Sequence, residues 1–264
     1  MLLSAKGVTK TFNGFPAVSS IDFEAGENEL RGIIGPNGSG KTTFFNLISG
    51  IYRADGGQIV FNGVDITRKS AHQIARLGMA RTFQMLRIFG DMTVLDNILV
   101  AYHIHLHYGL AAASLHFPNV RRTERKTRDE AFELLDFIGL ADYADMPASD
   151  MSIGQRRLLA LGRAVAMKPK MLLLDEPAAG LSPVNVDRLI ETVVALRKKY
   201  SLSVIIIEHI LKVIMDICST VTVFDHGQKI AEGAPTEVRD APQVIEAYLG
   251  KQMNDDEIRK VFNR

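Results

Sequence analysis

Residues 35–43, Gly-Pro-Asn-Gly-Ser-Gly-Lys-Thr-Thr, match G-x-x-x-x-G-K-[ST] at Gly35, Gly40, Lys41 and Thr42. The stretch follows a strand-like Leu-Arg-Gly-Ile-Ile and precedes a helix-like Phe-Phe-Asn-Leu-Ile-Ser-Gly, the context in which this spacing binds phosphate. Each residue type has its own duty. Glycines admit φ values closed to other residues and let the backbone approach a ligand closely. The loop of Gly35, Pro36, Asn37, Gly38, Ser39, Gly40, Lys41, Thr42 and Thr43 can therefore turn successive N–H groups toward phosphate oxygens. The helix that follows adds unpaired N–H groups and a positive dipole end. Lys41 is placed to bridge the outer phosphates as a point charge, and the Thr42 hydroxyl to ligate Mg²⁺.

Two further constellations bear on chemistry. The apolar run Met-Leu-Leu-Leu ends in Asp175, Glu176 and Pro177. Open α/β sheets bind ligands at the carboxyl ends of their strands. There an Asp can hold Mg²⁺, usually through water, and an adjacent Glu can polarise an attacking water as general base. By itself such a pair also describes a solvated turn; Lys41 and Thr42 in the same chain favour the catalytic reading. In Asp-Met-Ser-Ile-Gly-Gln-Arg-Arg-Leu, residues 150–158, Ser152 and Gly154 stand at a helix start. That is either a second anion site or simply a helix capped by Ser152.

The elements that must position these residues can be read from periodicity and punctuation. Segments 5–12, 17–24 and 28–34 read as short strands divided by Gly, Asn and Pro, and 56–67 continues in that style. From about 85 to 150 the character is helical, with a helix predicted through 94–106 and another in which Ala131, Leu134, Leu135 and Ile138 share a face ahead of a stop at Gly139. After that come a helix over 155–167, the strand 171–176, a helix over 186–200 and the strand 203–209. Strands alternating with helices around a phosphate loop indicate a parallel α/β core, with the helical middle inserted into it.

Composition narrows the classes. With 47% hydrophobic and 23% charged residues among 264, the chain can bury a sizeable core. A net charge of +1 provides no basic field, which argues against nucleic acid as a partner. The single cysteine, Cys218, cannot form an internal disulfide, and its apolar setting predicts a buried thiol in a reducing compartment. The first residues lack the apolar run of a secretion signal, and no apolar stretch reaches about eighteen residues, so the chain is not expected to cross a membrane itself.

Over about residues 3–250 the chain resembles the ATP-binding subunits of ABC transporters. Residues 35–43 resemble their Walker A loop and Arg-Thr-Phe-Gln, with Gln84, their Q-loop. Met-Ser-Ile-Gly-Gln resembles the LSGGQ signature, including Gln155, and Met-Leu-Leu-Leu-Asp-Glu-Pro resembles Walker B. Ala-Ala-Gly-Leu-Ser resembles the D-loop, and Ile-Ile-Ile-Glu-His, with His209, the switch histidine. The resemblance implies a P-loop NTPase (RecA-like) α/β core with an N-terminal antiparallel β subdomain, from 1–84 and 155–250. It also implies a helical subdomain over 85–154 ending in the signature, and a tail over 251–264.

By the same resemblance the ligands are ATP and Mg²⁺, two subunits sandwich two ATP molecules head to tail, and Ser152 and Gly154 contact the γ-phosphate held by the partner's loop. Phe12 falls where the family stacks an aromatic on adenine, although a core role suits it too, and Val18 falls near the ribose. Gln84 joins Thr42 and Asp175 as a metal-side residue, and Glu176, His209 and Lys41 are the catalytic set. Ile153 replaces a signature glycine, Ser182 the D-loop aspartate, and Ile210 an aspartate that usually follows the histidine. Gly-Met-Ala-Arg-Thr-Phe-Gln, Ala-Glu-Gly-Ala-Pro-Thr-Glu-Val and Pro-Gln-Val-Ile-Glu-Ala-Tyr-Leu-Gly narrow the resemblance to ATPases of branched-chain amino acid importers and of related urea or amide importers.

Such a subunit lies on the cytoplasmic face of the membrane, with a homologous, non-identical cassette, permease subunits and, indirectly, a periplasmic solute-binding protein as partners. Soluble ABC-type ATPases of repair or translation usually carry paired cassettes or long coiled-coil insertions, which this chain lacks. A small-molecule kinase with the same loop would not need Ser152 and Gly154. His103 and His107, with His105 between them, have a spacing that can bind zinc, but no third ligand is evident, so a surface helix is expected. The run at 121–128 suits a solvated helix face better than contact with anionic lipid.

Overall fold

The computed structural model describes residues 1–83, 88–105 and 118–249; Gln84, His107 and the tail 251–264 lie outside them. The described residues divide into two compact units. One holds residues 1–83, 170–180 and 193–249, the other 88–105, 118–169 and 181–192.

The first unit contains two sheets. In the antiparallel one, β1 (Leu3–Phe12) pairs with β2 (Phe15–Ala25) on one side and β4 (Gly56–Phe61) on the other, and β5 (Val64–Asp65) closes the order β2-β1-β4-β5. The second sheet has the order β10-β9-β3-β8-β7-β6, built from β3 (Leu30–Ile34), β6 (Met79–Arg81), β7 (Met171–Asp175), β8 (Ser203–Ile207), β9 (Thr220–Asp225) and β10 (Gln228–Gly233). All its pairings are parallel except β10 against β9. Strands β3, β7 and β8 are buried at every position, as expected for parallel strands covered on both faces, and this is why they read as mainly apolar, with Arg31, Asp175 and Ser203 the buried polar exceptions. The register sets Asp175 opposite Ile207 and Ile33 opposite the same Ile207, so the chain leaves all three strands along one edge.

Among the described residues the α-helices, in chain order, are α1 (Lys41–Ile48), α2 (Ala71–Arg76), α3 (Val94–Tyr102), α4 (Pro118–Phe137), α5 (Ile153–Ala166), α6 (Pro183–Tyr200), α7 (Leu211–Ile217), α8 (Pro235–Arg239) and α9 (Pro242–Leu249). The second unit is helical. Ala131, Leu134, Leu135 and Ile138 are all buried, and α4 stops before Gly139. The helix expected over 94–106 is shorter: α3 ends at Tyr102 and tightens into a 3₁₀ turn over His103–His105. The 121–128 run lies on the solvated side of α4. Cys218 is buried, and burial pushes its thiol pKa up. Among the described residues no helix is long and apolar enough to cross a membrane.

Helix α1 is fixed by aromatics from both sheets. Phe44 meets Phe23 of β2 edge to face at 5.2 Å and Phe224 of β9 at 5.4 Å, and all three are fully buried. Such pairs add about 0.5–1.5 kcal/mol each beyond the area they bury. Replacing Phe44 with Ala is therefore expected to cost ~3–5 kcal/mol of unfolding free energy, measured by urea denaturation. A loss below about 1 kcal/mol would contradict the placement of α1 by this stack.

Candidate functional site

The loop between β3 and α1 is built for close backbone approach. Gly40, the N-cap of α1, has φ 99°, and a Cβ there would come within 2.4 Å of the Ala17 carbonyl oxygen. At Gly35 a Cβ would come within 2.1 Å of the Phe224 carbonyl oxygen. Neither position admits a side chain, so the loop is seated against the strands around it. Lys41 is only 5% exposed, and its ammonium donates to the carbonyl oxygens of Gly35 (2.7 Å) and Pro36 (2.9 Å) and to Ser39 Oγ (3.4 Å). Burial pulls its pKa down, while the charges of Glu176 and Asp175 oppose that pull. A cation is thus held inside the curl of its own loop, within the field of two carboxylates. Thr42 is exposed at the same helix start.

The carboxylates follow from β7. Asp175 ends the strand and is 5% exposed. Glu176 has φ 48°, a conformation costing a non-glycine residue about 1 kcal/mol or more. It is held there by its N–H to the Ile207 carbonyl (2.9 Å) and by its own carbonyl, which accepts from Ala179 N–H (3.2 Å). The turn brings Glu176 Oε1 to 2.7 Å from His209 Nε2, 33 residues further along the chain. Lys41, Asp175, Glu176 and His209 thus come together at the carboxyl ends of β3, β7 and β8.

Two residues of this cluster escaped the sequence reading. Glu208, just past the apolar β8, is 2% exposed; Oε1 accepts from Ala178 N–H (2.6 Å) and Oε2 from His209 N–H (3.1 Å). Its pKa is raised, chiefly by burial and further by Glu176, against the hydrogen bonds from Ala178, His209 and Ile210. A charged residue closing the apolar run Val204–Ile207 was the available signal. Arg81, the last residue of β6, pairs through Nη2 with Asp175 Oδ2 at 2.7 Å.

Phe12 is a surface aromatic, 40% exposed and edge to face with Tyr52 at 5.3 Å, which removes the alternative of a core role. Val18 has no exposed surface and belongs to the hydrophobic core, so it offers no side-chain surface for a ribose. In the second unit Ser152 is the N-cap of α5: its Oγ accepts from Gln155 N–H (3.3 Å), and Gln155 Oε1 accepts from Ser152 N–H (2.9 Å). The capped-helix reading thus describes the local bonding, with Ser152 exposed and Ile153 56% exposed beside it. A Cβ on Gly154 would come within 3.3 Å of Asn185. Ile210 occupies the N-cap position of α7 and supplies no side-chain cap. Gln84 and His107 lie outside the described residues.

Exposed hydroxyl at Thr42 and a carboxylate at Asp175 are the hard oxygen donors that Mg²⁺ takes, and that ion keeps several waters and bonds to substrate phosphates besides. Among the described residues no group of three His, Cys, Asp or Glu side chains is arranged to hold a metal by itself.

A parallel sheet with a glycine-rich loop into a helix at its carboxyl edge defines a P-loop NTPase fold. Residues 18–179 match the family model for ABC transporters, and residues 228–253 match one for branched-chain amino acid ATP-binding cassette transporters. The chain is 39% identical to the high-affinity branched-chain amino acid transport ATP-binding protein BraF of Pseudomonas aeruginosa, over 95% of this chain and 98% of that one. It is 40% identical, with the same coverage, to the corresponding LivG protein of Escherichia coli K12. A crystal structure of the ADP conformation of an ATP-binding cassette of an ABC transporter superposes with a TM-score of 0.81 at 33% identity, covering 95% of this chain and 99% of that one. This chain belongs to the ABC transporter family of ATP-binding proteins.

Glu208 receives N–H donors on both oxygens, so Glu208→Gln would turn an amide NH₂ against one of them. The variant is expected to lose ~1–3 kcal/mol of stability, measured by urea denaturation at pH 7. Full stability would contradict the two-sided acceptor role.

Proposed function

We propose that this ATPase drives a membrane permease that takes up branched-chain amino acids, binding and hydrolysing ATP at the cytoplasmic face. The observation that carries the reading is the convergence of Lys41, Asp175, Glu176 and His209 at one sheet edge, in a chain whose relatives at 39–40% identity are named as branched-chain amino acid transport ATP-binding proteins.

In this reading the loop N–H groups and the Lys41 ammonium bind the β- and γ-phosphates, and Phe12 stacks on the adenine. Thr42 and Asp175, with Gln84, would hold Mg²⁺, which would neutralise phosphate charge when bound. Glu176 accepts a proton from the water whose oxygen bonds to the γ-phosphorus, and the bond to the β–γ bridging oxygen breaks with its electron pair leaving on ADP. The backbone turn at Glu176 aims its carboxylate at that water, and His209, hydrogen-bonded to it, stabilises the charge that develops on the γ-phosphoryl oxygens. Ser152, Gly154 and Gln155 at the start of α5 serve the ATP bound by a second cassette. The natural mate is a homologous, non-identical cassette, because each of two unlike interfaces can carry its own departures, here Ile153 and Ser182.

Co-expression with a homologous cassette and two permease subunits, followed by reconstitution into vesicles with a solute-binding protein, tests the reading. ATP-driven leucine uptake is expected with the parental chain. With Glu176→Gln, turnover should fall about 100-fold or more while ATP binding persists. Parental hydrolysis rates in that variant would overturn the base assignment, and absence of branched-chain amino acid uptake by the active assembly would overturn the substrate.

A further inference from the structure

Arg81 is a buried cation whose bonds converge on two different elements. Nη2 donates to Asp175 Oδ2 at 2.7 Å, while Nη1 donates to Asn46 Oδ1 at 2.7 Å and Ser49 Oγ at 2.8 Å. Both side chains of the Arg81–Asp175 pair are almost fully buried, at 7% and 6% exposure. The guanidinium also lies 5.5 Å from the Phe45 ring centroid and 5.2 Å from that of Phe83. Among the described residues the Asp175 side chain makes no other hydrogen bond, so Oδ2 is committed and Oδ1 is the oxygen left.

The two helix acceptors are informative by their spacing. Asn46 and Ser49 stand four and seven positions after Thr42, the stagger that places residues on one face of a helix. One planar guanidinium therefore ties the face of α1 that begins at Thr42 to the strand end that carries Asp175. A lysine could not do this, since it offers a compact point charge instead of a rigid fork of donors. Burying an arginine against a carboxylate gives weak net stability, because desolvation offsets the attraction. Geometry is the more economical reason for the pair: ligands of a metal are oriented by the partners of their other atoms.

We propose that Arg81 is a positioning residue that fixes the spacing and orientation of Thr42 and Asp175 for Mg²⁺. This rests on the reading of the site as a Mg-ATP site. In this role Arg81 acts through other residues: it holds Oδ2 of Asp175, which leaves Oδ1 for the ion, and it ties that strand end to α1.

The test is fluorescent-ADP titration of the full chain, with Mg²⁺ and with EDTA, for the parental protein, Arg81→Lys and Asn46→Ala, with Mn²⁺ binding by electron paramagnetic resonance as a direct metal readout. Arg81→Lys keeps the charge and loses the fork. It is expected to bind nucleotide in EDTA within about twofold of the parent, because the Lys41 loop is intact, yet to lose about 10- to 100-fold in metal affinity. Asn46→Ala, which loosens the clamp from the helix side, should lose metal affinity in the same direction and by less. Parental Mg²⁺ dependence in both variants would overturn the proposal. Equal losses in EDTA and in Mg²⁺ would also overturn it, since they indicate a purely structural residue. If Arg81→Lys does not fold, Asn46→Ala alone decides by the same criteria. A parental protein that binds nucleotide without any gain from Mg²⁺ would instead overturn the reading of the site itself.

Discussion

The site depends on one buried cation. Lys41 sits inside the loop at residues 35–43, bonded to two loop carbonyls and a hydroxyl, and faces two carboxylates from another strand. An ammonium removed from water loses hydration worth several kcal/mol, and fixed dipoles together with opposite charge must replace it. That requirement sets the rest. The loop must curl tightly enough to put its carbonyls on the ammonium, which leaves no room for side chains at Gly35 and Gly40. The sheet must be parallel so that β3, β7 and β8 release their chains along one edge.

Around that cation the polypeptide fixes its acids from behind. Arg81 holds one oxygen of Asp175, His209 meets Glu176, and Glu208 binds the N–H groups of Ala178 and His209. The left-handed turn at Glu176 is maintained by a hydrogen bond to the neighbouring strand. Strain at one residue is thus offset by a surrounding lattice of bonds, which keeps the carboxylate from relaxing into an ordinary strand-end turn. In the proposed reaction, groups held this way would need little reorganisation as phosphate charge develops beside them.

Much of this was legible in the sequence because it is local. The phosphate loop, the buried runs of β3, β7 and β8 and the cap at Ser152 all depend on residues within a few positions of one another. Arg81 was not legible as a site residue: its partner Asp175 is 94 positions away, and nothing in Met-Ala-Arg marks a guanidinium as buried. Glu208 and Ala178 are likewise 30 positions apart. Val18 was placed near a ribose by the resemblance alone; strand β2 turns Val18, Ile21, Phe23 and Ala25 inward, with the alternation broken by positive φ at Ser20. The helix expected over 94–106 keeps α geometry only to Tyr102; the alternating histidines from His103 carry no stop signal in the sequence, while the chain there tightens into a 3₁₀ turn.

In the proposed mechanism the buried ammonium of Lys41 is the phosphate-binding charge about which the other groups are arranged. Isothermal titration of Lys41→Ala with ATP in the presence of Mg²⁺, alongside the parental chain, tests it most directly. Coulomb attraction between a lysine and the phosphates in a partly buried setting is worth ~4 kcal/mol at contact distances, so affinity is predicted to fall by at least about 100-fold while the fold, followed by circular dichroism, persists. Unchanged ATP affinity in a folded Lys41→Ala protein would contradict the account.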